Sequence, residues 1–339
     1  MPLDSRVAAA LARRAALAAD PGTNAYRLIN RAADGFPDLA VDRYDDVLVA
    51  QRNAPRQLPA GAAFISCDVT DANSVAAAIA GREIAICTVG FPYSARIWQR
   101  AWPAAMKAML SACEKAGARF VFADNLYMYG PVTGPLIETM PLTSYGQKPR
   151  IRAEITRLWQ DAHAAGRVKA VAVRASDFYG PDVPNSILSM GISRLLAGKA
   201  ALVPYFPDHP HDQTYVPDIA RAVVTLCDAP DDAYGQAWHV PNAPTQTFRE
   251  LLTLAARIAG VPLRTLMLPR WLQPILGIAV PELGELIEMR FQTDRPYFVD
   301  AGKFRARFGQ EATSFEDGLA ATVRFYRDAA RGVDAKISR

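Results

Sequence analysis

The sequence predicts an α/β fold: a doubly wound parallel sheet with a smaller C-terminal region. Two observations carry this. From about residue 60 to 227, short apolar runs alternate with longer amphipathic ones, and the short runs are apolar at consecutive positions, as in strands covered on both faces. Strands that alternate with helices are joined by crossovers and therefore lie parallel. The 339 residues suffice for one large domain or two smaller ones with a sizeable core.

The elements follow in order. Residues 5–51 read as an Arg/Ala-rich helix and two or three short strands. AAFISCDV (62–69) is strand-like and leads into the Ala-rich helical stretch 71–81. EIAICTV (83–89) is the next strand, Trp98 to Ala116 the next helix, and RFVFAD (119–124) the strand after it. A long loop precedes a helix from Pro149 to Ala165. Proline suits its first position, where the missing N–H would have no partner in any case. VKAVAVRAS (168–176) completes the alternation. Beyond residue 177 prolines accumulate (Pro181, Pro184, Pro204, Pro207, Pro210, Pro217), and helical segments 187–197, 217–227 and 247–259 are joined by long loops. Such loops are the usual carriers of ligand contacts.

Composition narrows the function classes. Half the residues are hydrophobic, 21% are charged, and 38 basic against 34 acidic side chains leave a net charge of +4. That is a globular composition. The Arg excess is spread along the chain, whereas a nucleic-acid footprint clusters on one face, so nucleic acid is not expected and charge by itself names no partner. Cys67, Cys87, Cys113 and Cys227 form no CxxC pair, which argues against a disulfide framework or zinc ribbon and for reduced thiols in a cytoplasmic protein. Charge or proline interrupts every apolar stretch before the roughly 18 residues a membrane span needs, and the Ala/Arg-rich start lacks the core of a signal peptide. His209-Pro210-His211, between Asp208 and Asp212, has no distant His or Cys set to complete a metal site and reads as a substrate loop.

Several segments occur in an order that resembles the extended short-chain dehydrogenase/reductases, the group of NAD-dependent sugar-nucleotide epimerases and dehydratases. Cys67-Asp68-Val69-Thr70-Asp71 is similar to the acidic turn after that family's third strand, and Thr88-Val89-Gly90 stands where its fourth strand passes the cofactor ribose. FADNLYMYG (Phe122 to Gly130) matches its strand end followed by a Tyr-Gly pair. Arg174-Ala-Ser-Asp-Phe-Tyr-Gly-Pro181 resembles its turn after strand six, and HDQTYVPDIA (His211 to Ala220) the segment that closes over substrate. Tyr297 to Phe304 and the helix TSFEDGLAATVRFYRD look like its C-terminal end. The resemblance covers about residues 55–330. It implies a Rossmann-like sheet, NAD or NADP as cofactor, hydride transfer at a hydroxyl or carbonyl carbon, and a homodimer through the helices near 98–116 and 149–165. It also implies three segments: a leader (1–51), a cofactor domain (52–176), and a mainly substrate-binding region with C-terminal helices (177–330).

On this reading Asp68, Val69, Thr88, Val89, Gly90, Arg174 and Ser176 face the cofactor, and Asp177, Tyr179, Asn185, His211 and Tyr215 line the substrate side. Taken alone, Asp68 is equally good as a ribose and adenine acceptor or as a helix cap, and Gly90 as a close-approach position or an ordinary turn. The reaction centre departs from the family pattern. That pattern pairs Tyr with a Lys one helical turn on. Here Ser144-Tyr145-Gly146-Gln147-Lys148-Pro149-Arg150 sets Tyr and Lys three apart. Counted back from Arg152-Ala153-Glu154, the Lys place falls on Arg150. Tyr145 is therefore the candidate acid/base, with Lys148 or Arg150 as its cation, and a packed loop aromatic is its plain alternative. Asn125 holds the place of the orienting hydroxyl, or caps a turn; Tyr127 and Tyr129 are alternative phenols.

The opening departs further. A dinucleotide-binding sheet starts with a strand, a Gly-rich turn and a helix. None of the 21 glycines lies two or three residues from another, so that fingerprint is absent. Residues 5–51 instead resemble the segment before the catalytic domain of PUA-containing rRNA large-subunit methyltransferases, through Thr23-Asn24-Ala25-Tyr26-Arg27-Leu28, Ala33-Asp34-Gly35-Phe36-Pro37 and Val41-Asp42-Arg43-Tyr44. With the family's first strand missing, Val47 to Gln51 is expected as strand two, and Leu39 to Tyr44 or Tyr26 to Asn30 as stand-ins for strand one. Arg52, at the end of strand two, is either a 2′-phosphate ligand or a solvated surface residue. The rival to an enzyme is a non-catalytic descendant that lost its dinucleotide turn. A third reading has Arg13, Arg14, Arg27 and Arg31 of the leader contact RNA.

Overall fold

A computed structural model of the chain describes residues 25–30, 40–44, 47–55, 58, 62–203, 207–267 and 284–337. Two compact units divide it, Met1–Ala80 and Gly81–Arg339. The division falls after the first helix rather than at residue 51, because a strand of the leader pairs with the strand that follows it. Arg13, Arg14 and Arg31 lie outside the described residues.

In the first unit, β1 (Ala25–Asn30) and β2 (Ala40–Tyr44) pair with each other, antiparallel, with an irregularity between Arg27 and Ile29. β3 (Leu48–Gln51) and β4 (Ala63–Ser66) are parallel, with Leu48 opposite Ala63. Val47 to Gln51 thus takes the expected strand-two role. The two stand-ins for strand one instead form a hairpin-like pair of their own, each satisfying the other's backbone groups. α1 (Ala72–Ile79) is capped by Asp71, whose carboxylate accepts from the Asn73 and Ser74 amides.

The second unit is built on β5 (Ile84–Cys87), β6 (Arg119–Asp124), β7 (Ala170–Arg174) and β12 (Ala237–His239), a parallel sheet in the order β12-β7-β6-β5. Among the described residues β6 is the sole hydrogen-bonded neighbour of β5, and Ile86 in β5 is 50% exposed. Alternation along the inner strands assigns the two faces. Phe120 and Phe122 stack on each other, and Phe122 meets Trp102 of α2 (Ala95–Ala116). Val121, Val171 and Val173 pack with Ala222, Val223 and Leu226 of α5 (Val216–Cys227). α3 (Lys148–Ala164) lies beside α2 and against β7. Each fully buried Val is worth about 1.5–3 kcal/mol, which makes this two-sided core the stable frame under the loops.

Between the core strands lie β8 (Asp177–Tyr179), paired in parallel with β11 (Gln213–Tyr215), and β10 (Pro210–His211), paired antiparallel with β13 (Gln246–Thr247). α4 (Ile187–Leu196), α6 (Phe248–Ala259) and α8 (Phe315–Ile337) form a second core with Tyr179 and Tyr215. β9 (Ala201–Val203) and β14 (Thr265–Met267) pair in parallel, and α7 (Gly302–Phe308) packs on β12. The four cysteines are free and buried; burial pushes the Cys87 thiol up to about 11 and those of Cys113 and Cys227 to about 12. No helix among the described residues is long and apolar enough to cross a membrane.

Candidate functional site

The foundation of the site is a buried charge network at the carboxyl ends of β6 and β7. Asp124 accepts from Arg152 of α3, lies 3.6 Å from Nε of Arg174, and also takes the Asn125 amide at 2.8 Å. The Arg152 guanidinium lies over the Trp102 ring at 4.3 Å, a contact that compensates part of its desolvation. Arg174 donates to the Tyr129 hydroxyl at 2.7 Å and to Thr156 at 3.3 Å. Tyr129 in turn bonds to Nε2 of His239 at 2.9 Å, and Nδ1 of His239 faces the Asp300 carbonyl at 3.0 Å. A carbonyl only accepts, so Nδ1 carries the proton and Nε2 accepts the phenol's. Burial and the Arg174 charge hold His239 neutral, with its pKa lowered to about 3.

Above this network a short 3-10 turn, Tyr127–Tyr129, carries the crevice side chains. Asn125 accepts the Tyr127 amide through Oδ1, so its carbonyl caps the turn while its NH2 group is not used there. The Tyr127 ring stacks on Trp98, and the Tyr93 ring meets Trp98 edge-on at 5.4 Å. Burial raises both phenols, and the charge of Asp177 raises them further. Asp177, the first residue of β8, lies 3.2 Å from Nε2 of His211, and Nδ1 of His211 faces the Gln292 carbonyl at 2.9 Å. Tyr297 stacks on the His211 ring with centroids 5.0 Å apart.

The start of α3 is held from far along the chain. Its Gln147 side chain makes no cap; Glu288 instead accepts the Gln147 and Lys148 amides at 2.6 and 3.2 Å. Lys148 is fully buried, and its Nζ bonds Glu288 at 2.7 Å, the Glu285 carbonyl at 2.8 Å and the Glu285 carboxylate. Glu285 also accepts the first amide of α2, from Ala95. Both carboxylates therefore sit where helix dipoles favour negative charge. Tyr145 is 41% exposed with its ring edge-on to Phe291.

In the first unit, Asp68 accepts from the Thr70 amide and hydroxyl and pairs with Arg52 at 2.9 Å. Thr70 foremost, and Arg52, hold its carboxyl below the ordinary range. Helix capping belongs to Asp71. Val69 is half-buried beside it. In the second unit, Thr88, Val89 and Gly90 follow β5; a Cβ at Gly90 would have nothing within 4 Å.

The structure brings Asp177 and His211 together. It does not bring the remaining expected substrate residues there. Tyr179 and Tyr215 are core side chains, packed on Phe315 and each other, and Asn185 is exposed ahead of α4. Two expected cofactor residues are also corrected: Arg174 is 1% exposed and spent on Asp124, Tyr129 and Thr156, and Ser176 donates to the Asp212 carbonyl at 2.6 Å. Lys148 is committed to the two glutamates, while Arg150 is exposed on α3. Sequence reasoning missed Tyr93, Gln292, Glu285 and Glu288 and took Tyr297 only as a landmark. An aromatic directly after the fourth-strand turn, as in Phe91-Pro92-Tyr93, was the available signal for Tyr93; the glutamates act 137 and 140 residues away from Lys148 and have no local signature.

Comparison with known proteins gives the same placement. Residues 37–240 match the model of the NAD dependent epimerase/dehydratase family. The dTDP-glucose 4,6-dehydratase DesIV of Streptomyces venezuelae, solved with NAD and TYD bound, superposes with a TM-score of 0.69 at 20% identity over 85% of this chain and 89% of that one. The UDP-glucuronic acid 4-epimerase of Bacillus cereus, in complex with NAD, gives 0.68 at 15% over 84% and 91%. The UDP-glucose 4-epimerase of Thermotoga maritima, with UDP-glucose, gives 0.69 at 19% over 85% and 92%. A 49-residue stretch is 55% identical to a ribosomal RNA large subunit methyltransferase of Deinococcus radiodurans, but covers 13% of this chain and 12% of that protein. Such a span carries no activity with it. A match across more than half of the chain, on a parallel sheet whose strand ends gather the crevice residues, shows that the chain belongs to the NAD dependent epimerase/dehydratase family of enzymes.

Proposed function

We propose that the protein is an NAD- or NADP-dependent oxidoreductase of the epimerase or dehydratase type, acting at a hydroxyl or carbonyl carbon of a sugar-nucleotide-like or other small substrate. The observation that carries this is the placement of four side chains: Tyr93 and Tyr127 follow the parallel strands β5 and β6, and Asp177 follows β7 and lies 3.2 Å from His211, on the side of an open α/β sheet where ligands bind, and all four lie within the family match. A bound nicotinamide would supply the hydride acceptor and donor. The residues present fit part of a dinucleotide. Within the second unit, open space over Gly90 admits a flat ring, with Thr88 and Val89 alongside; within the first, the Asp68 carboxylate is an acceptor of the kind adenosine hydroxyls need, with Val69 next to it in the chain. Arg52 bears on NADP only by leaving its partner Asp68. No glycine turn cradles the pyrophosphate, so other backbone amides must do so.

Tyr145, open to solvent at the start of α3, is the phenol we assign to proton exchange with substrate, with Arg150 and Arg295 as the cations and the Asn125 amide as orienter. Buried, reduced thiols suit a cytoplasmic protein, and α2 and α3 are the faces through which a homodimer would form. A second reading, a non-catalytic pseudoenzyme or binding module that lost the dinucleotide-binding turn, is favoured by the absence of that turn and by the commitment of Lys148 to Glu285 and Glu288.

The deciding experiment is a titration with NADH and NADPH, following energy transfer from tryptophan to the reduced nicotinamide, then with UDP-glucose as the substrate probe. Micromolar saturation supports the enzyme, and Tyr145→Phe should then abolish turnover without loss of cofactor binding. No binding at millimolar cofactor would leave the pseudoenzyme.

A further inference from the structure

The crevice contains a pair whose protonation is dictated by its hydrogen-bond partners. His211 is 4% exposed and its ring is fixed on three sides. Tyr297 stacks on one face, Phe248 lies edge-on at 6.4 Å, and Nδ1 faces the Gln292 carbonyl at 2.9 Å. That carbonyl only accepts, so the Nδ1 position is a donor in every state of the ring. The remaining nitrogen, Nε2, is buried and has no hydrogen-bond partner; the charge that faces it is the Asp177 carboxylate, with one oxygen 3.2 Å away. An unprotonated Nε2 would set its lone pair beside a carboxylate with no donor between them. One proton on Nε2 turns the same separation into an ion pair, which a small rotation of the exposed carboxylate aligns as a charge-assisted hydrogen bond. The second buried carboxylate nearby, Asp212, is already satisfied by the Thr245 hydroxyl at 2.6 Å and the Val299 amide at 2.7 Å. It adds negative field without competing for the proton.

We propose that Asp177 and His211 are a proton-sharing pair, and that the second carboxylate oxygen of Asp177 receives a hydroxyl of the substrate. The Asp177 side chain is 34% exposed while His211 is sealed beneath it, so the carboxylate is the crevice-facing member and the imidazole its positioning residue. The second oxygen of Asp177 has no protein partner among the described residues. A carboxylate oxygen left open in this way is an acceptor for a carbohydrate-like hydroxyl. The docking of that hydroxyl rests on the function proposed above; the shared proton does not.

The test is nitrogen-15 NMR of the full chain labelled at histidine, which has four such residues. In the wild type at neutral pH, both nitrogens of His211 should carry protons, whereas His239 should show a bare Nε2 and serves as the folding control. Asp177→Asn should convert His211 to the neutral Nδ1–H form and leave His239 unmoved; Asp177→Ala repeats the test with a smaller side chain. A bare Nε2 on His211 in the wild type, or unchanged His211 signals in both variants, would overturn the pair. UDP-glucose should shift the His211 signals, and its affinity should fall tenfold or more in Asp177→Asn with NADH affinity unchanged. Binding of UDP-glucose that moves neither quantity would overturn the docking. No binding at all would sink the nucleotide-sugar reading and that docking with it, while the spectrum alone would still decide the shared proton.

Discussion

Acid should unfold this protein through His239. In the folded chain its Nδ1 is bound to the Asp300 carbonyl and its Nε2 to the Tyr129 hydroxyl, which itself accepts from Arg174. Adding a proton to Nε2 would set N–H against O–H, next to a buried guanidinium. The fold therefore keeps the ring neutral down to a pKa of about 3, against 6.5 for the free side chain. Between those limits the unfolded chain binds one proton more than the native one, so stability is complete above the upper value and falls as pH drops towards the lower. The slope is about 1.4 kcal/mol per pH unit. From about pH 6.5 to about pH 4 the loss comes to roughly 3 kcal/mol, a large part of the 5–15 kcal/mol typical of a domain. His239→Asn keeps a donor for Asp300 and removes the titrating group. Urea unfolding followed by tryptophan fluorescence, run on both proteins across this range, isolates the term. Groups common to both cancel in the difference, including Asp212, whose carboxyl burial raises. The wild-type advantage at neutral pH should shrink by about 3 kcal/mol on acidification. An advantage that stays constant, or a native His239 that titrates in the ordinary range, would refute the argument.

Two further outcomes follow from geometry. Glu288→Ala removes both the cap of α3 and one of the two carboxylates around buried Lys148; since Glu285 remains, a loss of about 2–3 kcal/mol is expected, read as a lowered midpoint of urea unfolding. Gly130 stands at φ 66° and ψ −159°, and a Cβ there would come within 2.5 Å of the Thr143 hydroxyl; Gly130→Ala should cost at least about 2 kcal/mol in thermal unfolding and displace the Tyr127–Tyr129 turn from the crevice.

The parallel α/β architecture was legible because it rests on local periods. Consecutive apolar residues in RFVFAD and VKAVAVRAS mark strands buried on both faces whatever surrounds them, and the helices between them carry their own spacing. That Asp68, Asp177 and His211 fall in or beside short strands was legible for a related reason: short segments at strand ends keep their order along the chain. The missing glycine turn could be read from the positions of 21 glycines alone. What no local pattern contained was which polar group meets which. Lys148 faces Glu285 and Glu288 instead of Tyr145, Arg174 and Ser176 turn into the interior, and Tyr179 joins an apolar core. A buried charge must find its partners wherever the fold brings them, and here these lie up to 140 residues away. The sequence by itself determined the elements, their order and the strand ends where chemistry collects. Only the tertiary structure decided which side chains remain open to a ligand, because that depends on hydrogen bonds closed between segments that never meet in the sequence.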